Sequence, residues 1–302
     1  MILMPTVIIF KNFLKSWGNK RMRTISYATV VDAVKKLCIQ AACNLPPDVI
    51  QSLEYAVIKE QSPSAKIILD QCIKNAQIAS SEPLPICQDT GFAVFFVSLG
   101  SEIFIKGGQI TDAINEGVCC GYKDAYLRKS IVSDPLFERK NTQDNSPAIT
   151  HINIVSGDKL SITLLPKGGG SENLSALRMF KPSDEKSSII DFVVTTVVNG
   201  GGNPCPPVIV GVGIGGTADK ASCIAKEALL RPAGTPNPHP GYAELENEIL
   251  QKINSSGVGP QGLGGTVSAL AVHIEYFPCH IASLPVAVNL NCHAARKATI
   301  VL

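Results

Sequence analysis

Residues 197–216 read VVNGGGNPCPPVIVGVGIGG. An apolar helical end runs into a glycine run, then Cys205 stands between prolines, then an apolar run closes on Gly211-Val212-Gly213-Ile214-Gly215-Gly216. Two readings compete for this stretch. One is a nucleotide-binding βαβ unit, because G-x-G-x-x-G follows a strand-like run and precedes the helical ADKASCIAKEALL. The other is a loop that presents one thiolate to a metal, with the glycines serving close packing. A Rossmann unit needs a second parallel strand after that helix, with an acidic residue near its end. Here the helix runs into RPAGTPNPHP, and proline-rich chain of that kind cannot be a central strand. No G-K-S/T closes a glycine run, so a Walker A loop is excluded. A nucleotide-binding module is thus the distant alternative.

Outward from this stretch, the pattern predicts one α/β (α+β) domain, not a Rossmann fold. It has a helical N-terminal part and a mixed or antiparallel sheet flanked by helices. Apolar spacing of three and four predicts three helices over 28–80, with proline-rich breaks between them. GFAVFFVSLG (91–100) reads as a strand and 109–127 as a helix. THINIVSGDKLSITLL (150–165) alternates on both sides of Ser156-Gly157-Asp158, which predicts a β-hairpin. PKGGGSENLSALRMFKPS reads as a loop. Helices are expected over 184–198, 218–230 and 241–255, and apolar strands near 266–276 and 284–290.

Hydrophobic residues make up 45% of the 302 and charged residues 17%, so a large core is affordable, with apolar surface left over for a subunit contact. The net charge of +2, with Lys and Arg scattered, excludes the basic stripe of a nucleic-acid binder. MILMPTVIIF is apolar, but its basic residues follow it (Lys11, Lys15, Lys20, Arg21, Arg23), the reverse of a signal peptide. Ten residues also fall short of the roughly twenty that span a bilayer. Residues 1–21 are therefore expected to be a leader or an over-extended start before Met22, with 22–302 forming the catalytic domain. No membrane partner is expected, and the location is cytoplasmic.

None of the ten cysteines forms a C-x-x-C pair, so zinc ribbons and thioredoxin-like sites find no support. Cys38, Cys43, Cys72, Cys119, Cys120 and Cys223 fall on expected helices, where a cysteine behaves as a small buried hydrophobe. Cys279 reads either way. Cys87 in LPICQDTG, Cys205 in GGNPCPPV and Cys292 in NLNCHAARK differ, each lying at an element end beside turn formers. From spacing alone, convergence on one metal and free buried thiols both stand. The first has definite chemistry. A cluster used only for electron transfer takes four cysteines, whereas three leave one iron open as a Lewis acid. Dehydration of a hydroxy acid needs that, since hydroxide leaves poorly unless a cation polarises it. Gln88 and Asp89 follow the first thiol. The Lys167–Asn173 segment offers backbone N–H groups for an anion, Arg128 can clamp a carboxylate and His280 can donate a hydrogen bond. A solvated or core role is equally open to each of them singly.

CQDTG, KGGGSEN, GGNPCPPVIVGVGIGGTAD, GPQGLGG and NCHAAR, in this order over residues 24–302, resemble the α subunit of class I, iron–sulfur-dependent fumarate hydratases, relatives of the L(+)-tartrate dehydratase α subunit. The resemblance implies an oxygen-sensitive 4Fe–4S cluster on Cys87, Cys205 and Cys292, with one iron open to substrate. By the same resemblance Gln88, Arg128, Gly170 and His280 match substrate-contacting positions, and Asp89 a catalytic one. It implies reversible hydration of fumarate to (S)-malate, with tartrate dehydration as the alternative. Single-chain members carry a further domain with the general base. A chain ending at Leu302 resembles the two-subunit form, in a hetero-oligomer with a β subunit.

Overall fold

The computed structural model describes residues 22–302; the expectations for residues 1–21 lie outside the described residues. Strand β1 (Arg23–Ser26) gives way to helix α1 (Tyr27–Cys43) at Ser26, whose Oγ accepts the Thr29 N–H at 3.1 Å, an N-cap that satisfies one orphan donor. Helices α2 (Pro47–Lys59) and α3 (Pro63–Ser81) each carry proline in the first turn, where its missing N–H costs nothing. The three helices predicted from periodicity are therefore present. Ahead of them the described residues open with β1.

Strand β2 (Phe92–Gly100) is buried from Ala93 through Val97, so it needs neighbours on both edges and cover on both faces. Strand β3 (Ile103–Lys106) pairs in parallel with β1, and helix α4 (Ile110–Asp124) leads to β4 (Ile149–Val155) and β5 (Leu160–Lys167). The predicted hairpin at 150–165 is not one. β4 pairs with β2 in parallel and β5 pairs with β2 antiparallel, so β2 lies between the two arms. The turn at Gly157 arches over the end of β2, where Glu102 donates to Gly157 O at 2.9 Å. Alternation fixes which residues face the core but says nothing of which strand lies alongside. Apolar β2, with Phe95 wholly buried, takes the central place because burying such a side chain is worth about 2–3 kcal/mol.

The KGGGSEN segment, expected as loop, contains a one-turn helix α5 (Gly169–Glu172) and is followed by strand β6 (Ala176–Phe180). After α6 (Lys186–Gly200) comes β7 (Val208–Gly215), then α7 (Ala218–Ala228), α8 (Pro240–Asn254), β8 (Ala269–Phe277), β9 (Leu284–Asn291) and β10 (Ala298–Val301). Strand order is β10-β5-β2-β4 in one sheet and β6-β9-β7-β8 in the other. β7 and β8 are parallel, while β9 runs antiparallel to both β6 and β7. This is a mixed α+β fold and not a Rossmann sheet. A parallel strand does follow the G-x-G-x-x-G run, but only after RPAGTPNPHP and a second helix.

The glycines of that run serve packing. Every residue of β7 is buried. A Cβ on Gly211 would be driven into Ala225 O, and one on Gly213 into Ala221 O, both on α7. Helix and strand thus meet backbone to backbone, which only glycine permits.

Candidate metal centre

Cys87 lies between α3 and β2, in a loop tied down by its neighbours. The Asp89 N–H points at Cys87 Sγ at 3.4 Å. Asp89 Oδ1 accepts Gly91 N–H at 3.0 Å and Oδ2 accepts Gly169 N–H at 2.7 Å, so CQDTG and KGGGSEN are joined through one carboxylate. Gly91, at φ +80°, passes so close to Lys167 that a Cβ would lie 2.8 Å from its backbone. Thr90 Oγ1 donates to Arg128 O at 2.7 Å, which brings the exit of α4 to the same place.

Cys205 has a left-handed backbone, φ +54°, a conformation that costs a non-glycine residue about 1–2 kcal/mol. Its surroundings hold it there. Gln261 donates to Pro206 O twice, from its backbone N and its Nε2, each at 2.8 Å. The His293 N–H donates to Cys205 O at 3.2 Å. A Cβ on Gly202 would meet Gln261 O at 2.9 Å, so the GPQG segment braces the thiol loop at backbone contact distance.

Asn291, the last residue of β9, pairs with Ile209 near the start of β7. Antiparallel pairing therefore delivers Cys292 to the end of the sheet where Cys205 enters. Electrostatics records the convergence. Burial pushes the Cys292 thiol up, Arg296 opposes, and Cys87 and Cys205 push further; the Cys205 thiol is raised by burial, then by Cys87 and Asp89. Cys72, expected as a core thiol, is buried, yet it senses Cys292 and Cys205 as well, and burial first of all lifts it to about 11.

Among the described residues no three His, Cys, Asp or Glu side chains are arranged to hold one metal ion. Thiolates on separate corners of an iron–sulfur cube bind different irons and stand farther apart than ligands of one ion. The donor set fits such a group, and Arg296 adds a second test. This guanidinium is 2% exposed and donates Nη2 to Asp89 O at 2.8 Å, but its Nε and Nη1 have no partner. Buried donors on a permanent cation are costly to leave unmade, and thiolate or sulfide acceptors beside Cys292 would satisfy them.

Next to Cys87, through its neighbours Gln88 and Asp89, lies a cavity of about 380 Å³, lined also by Arg128, Lys167, Gly169 and Asn173 among others. A wider one of about 620 Å³ is walled by Gln40, Pro46, Thr163 and Lys297; none of the three thiols lines either.

The model of the family described as Fumarate hydratase (Fumerase) matches residues 31–301. The chain belongs to that family. A protein of Methanocaldococcus jannaschii named "Putative L(+)-tartrate dehydratase subunit alpha" is 44% identical over 273 residues, covering 89% of this chain and 96% of its own. The L(+)-tartrate dehydratase subunit alpha of Escherichia coli K12 is 33% identical over 275 residues, 90% of each chain. Fumarate hydratase and tartrate dehydratase are both hydro-lyases, so the site belongs to an enzyme that adds or removes water.

Within this fumarate hydratase family chain, Gln88, Asp89 and Arg128 share the cavity. Gly170 sits against the Cys205 loop, where a Cβ would lie 3.1 Å from Asn203 O. His280 is elsewhere. It occupies the turn after β8, accepting the Ala282 N–H on Nδ1 at 3.1 Å. Because β8 is parallel to β7 in register from Val208↔Ala269 to Gly215↔Phe277, His280 lies at the far end of the sheet from Cys205. The intervening strand is about 25 Å long. The glycine turn at Gly215-Gly216 shares that far end. Sequence reasoning missed three side chains: Lys167, Glu172 and Arg296. Each is a charged residue inside a motif that was read for its glycines or its cysteine.

No helix among the described residues is long and apolar enough to cross a membrane.

Proposed function

We propose that this chain is the cluster-bearing α subunit of a hydro-lyase that interconverts fumarate and (S)-malate, completed by a β subunit in a hetero-oligomer. The observation that carries the reading is the bonding of the Cys87, Cys205 and Cys292 loops to one another through His293, Arg296 and Asp89, next to a cavity lined by Asp89 and Arg128. Cys87, Cys205 and Cys292 would hold a 4Fe–4S cluster with one iron lacking a protein thiolate. When bound, such a group supplies Lewis acidity toward the hydroxyl that leaves or adds.

This chain's residues do the rest of their half of the work. Arg128 pairs with a substrate carboxylate through two parallel N–H donors, and the Gln88 amide hydrogen-bonds the same dianion. Asp89, fixed by two backbone N–H groups, holds the proton of the hydroxyl at its carboxylate oxygens. The cavity is open on one side, where the β subunit brings the base for the C3 proton. The names of the relatives, which designate α subunits, support that partner.

The same names favour a second substrate, L(+)-tartrate, whose dehydration uses the same chemistry. Anaerobic co-purification with the β subunit, followed by assays on both acids, tests both. Iron and sulfide near four each per α subunit, with turnover of fumarate above that of tartrate, is the expected result. The reverse preference selects the second reading, and a colourless complex that binds no iron on reconstitution overturns both.

A further inference from the structure

Lys167 ends β5 with its side chain 1% exposed. Its Nζ donates to Ser171 Oγ at 2.8 Å and stands 3.4 Å from Glu172 Oε2. Glu172 is shared. Its Oε1 takes the Lys226 ammonium at 2.6 Å and its Oε2 takes Asn289 Nδ2 at 2.9 Å. Two cations, both largely buried, thus divide one carboxylate. An ammonium so deeply buried is rarely the most stable choice, since an apolar side chain of similar length packs without desolvation cost.

What the ammonium accomplishes follows from the bonds beyond it. Ser171 Oγ, engaged by Nζ, donates onward to Gly168 O at 3.2 Å. Gly168 opens the turn whose next N–H, on Gly169, donates to Asp89 Oδ2 at 2.7 Å. From the other side, the Lys167 backbone packs on Gly91, the residue whose N–H holds Asp89 Oδ1. Both oxygens of Asp89 are therefore held by groups that Lys167 touches or fixes.

We propose that Lys167 is a positioning residue: its buried ammonium locks the Gly168–Glu172 turn so that the Gly169 N–H aims the Asp89 carboxylate at the reacting hydroxyl. This rests on the role given to Asp89 above. The groups facing Lys167 agree with a charge retained for function. Burial drives its pKa down to about 8, Glu172 and Cys292 partly offset that, and Lys226 adds to it. At neutral pH the ammonium persists in a place that disfavours it.

Three measurements test the inference. In the α–β complex, Lys167→Met lowers kcat about 100-fold with KM changed less than about three-fold, as expected when a reacting group is misplaced by a fraction of an ångström. In the full-length chain labelled with 15N-glycine, the Gly169 amide loses its hydrogen-bonded shift in that variant, while Gly157 on the far arch stays put. The variant's melting temperature at pH 7 falls, because removing one partner of a buried pair is destabilising, while the split between kcat and KM is what a purely structural role would not produce. Ser171→Ala keeps the charge but cuts the relay, and shifts the same amide with about a ten-fold loss in kcat. Retained kcat, or an unmoved Gly169 amide in both variants, overturns the proposal. If the parent complex is inactive on both acids, the functional reading fails, and the Gly169 amide still decides whether Lys167 sets the turn.

Discussion

Cys205, an exposed residue whose thiol is turned partly inward, has a strained backbone. Strain of this kind persists only where neighbours over-determine it, and Gln261, His293 and the close approach of Gly202 do so. The loop is thus held in shape by the protein's own contacts, which would lower the ordering cost of binding a metal there. Cys205→Ser is expected to abolish the visible absorbance of the reconstituted cluster, while circular dichroism and melting temperature stay within a few degrees of the parent. Full iron occupancy in that variant would show that another donor replaces it. Cys72 is a neighbouring thiol within electrostatic range of Cys205 and Cys292, buried on α3. Among side chains, the cysteines and the CQDTG carboxylate were legible as chemistry. Lys167 and Arg296 were not, because burial is what makes their charge unusual, and burial is not written in a motif.

At the scale of elements, the pairing of β7 with α7 accounts for the glycine run. Ala221, Ala225 and Ala228 of α7 are all buried, and opposite them Gly211 and Gly213 carry no side chain. Gly213→Ala must displace the helix or the strand, and overpacking of that kind costs about 1–3 kcal/mol. Thermal unfolding should show a melting temperature several degrees lower, and an unchanged value would mean that the helix moves freely. Periodicity found α1 to α4 and α6 to α8 with ends within a few residues, because an amphipathic helix is a local pattern. It missed β1, β3, β6 and β10, which have four or five residues each, too few to show alternation. It also read β4 and β5 as a hairpin, since nothing local reveals that β2 is inserted between them.

The whole molecule is closed by contacts between segments far apart in sequence. Glu60, 2% exposed, follows α2 and accepts N–H donors from Thr266 and Val267, both 2.8–2.9 Å from Oε2, as well as the Thr266 hydroxyl. Burial pushes its carboxyl up, but these hydrogen bonds together with that from Ser62 outweigh it and hold the pKa below the usual carboxylate value. A carboxyl with a depressed folded pKa stabilises above its unfolded value, near 4.3. That stability is lost as pH falls from there through the folded value. Glu60→Gln should therefore flatten the acid side of the stability curve below about pH 4.5 and cost about 1–3 kcal/mol at pH 7. Urea melts at both pH values measure it, and equal destabilisation at pH 3.5 and 7 would contradict it.

The sequence by itself determined the helices, the exclusion of a phosphate loop, the family and the three thiols, because each is set by local spacing or by residues that stay adjacent along the chain. Tertiary structure decided the rest: the split of β4 from β5, the placing of His280 at the far end of the sheet, and the buried Lys167 and Arg296. These depend on strand pairing and desolvation between segments separated by tens to hundreds of residues. The loop at 197–216 shows both. Its prolines and glycines are readable as stiffness and close approach, while the extended strand β7 separates its two ends and the register with β8 sets His280 beside the far one. Cys205 enters at the end where Cys292 leaves β9, and the glycine turn leaves at the other.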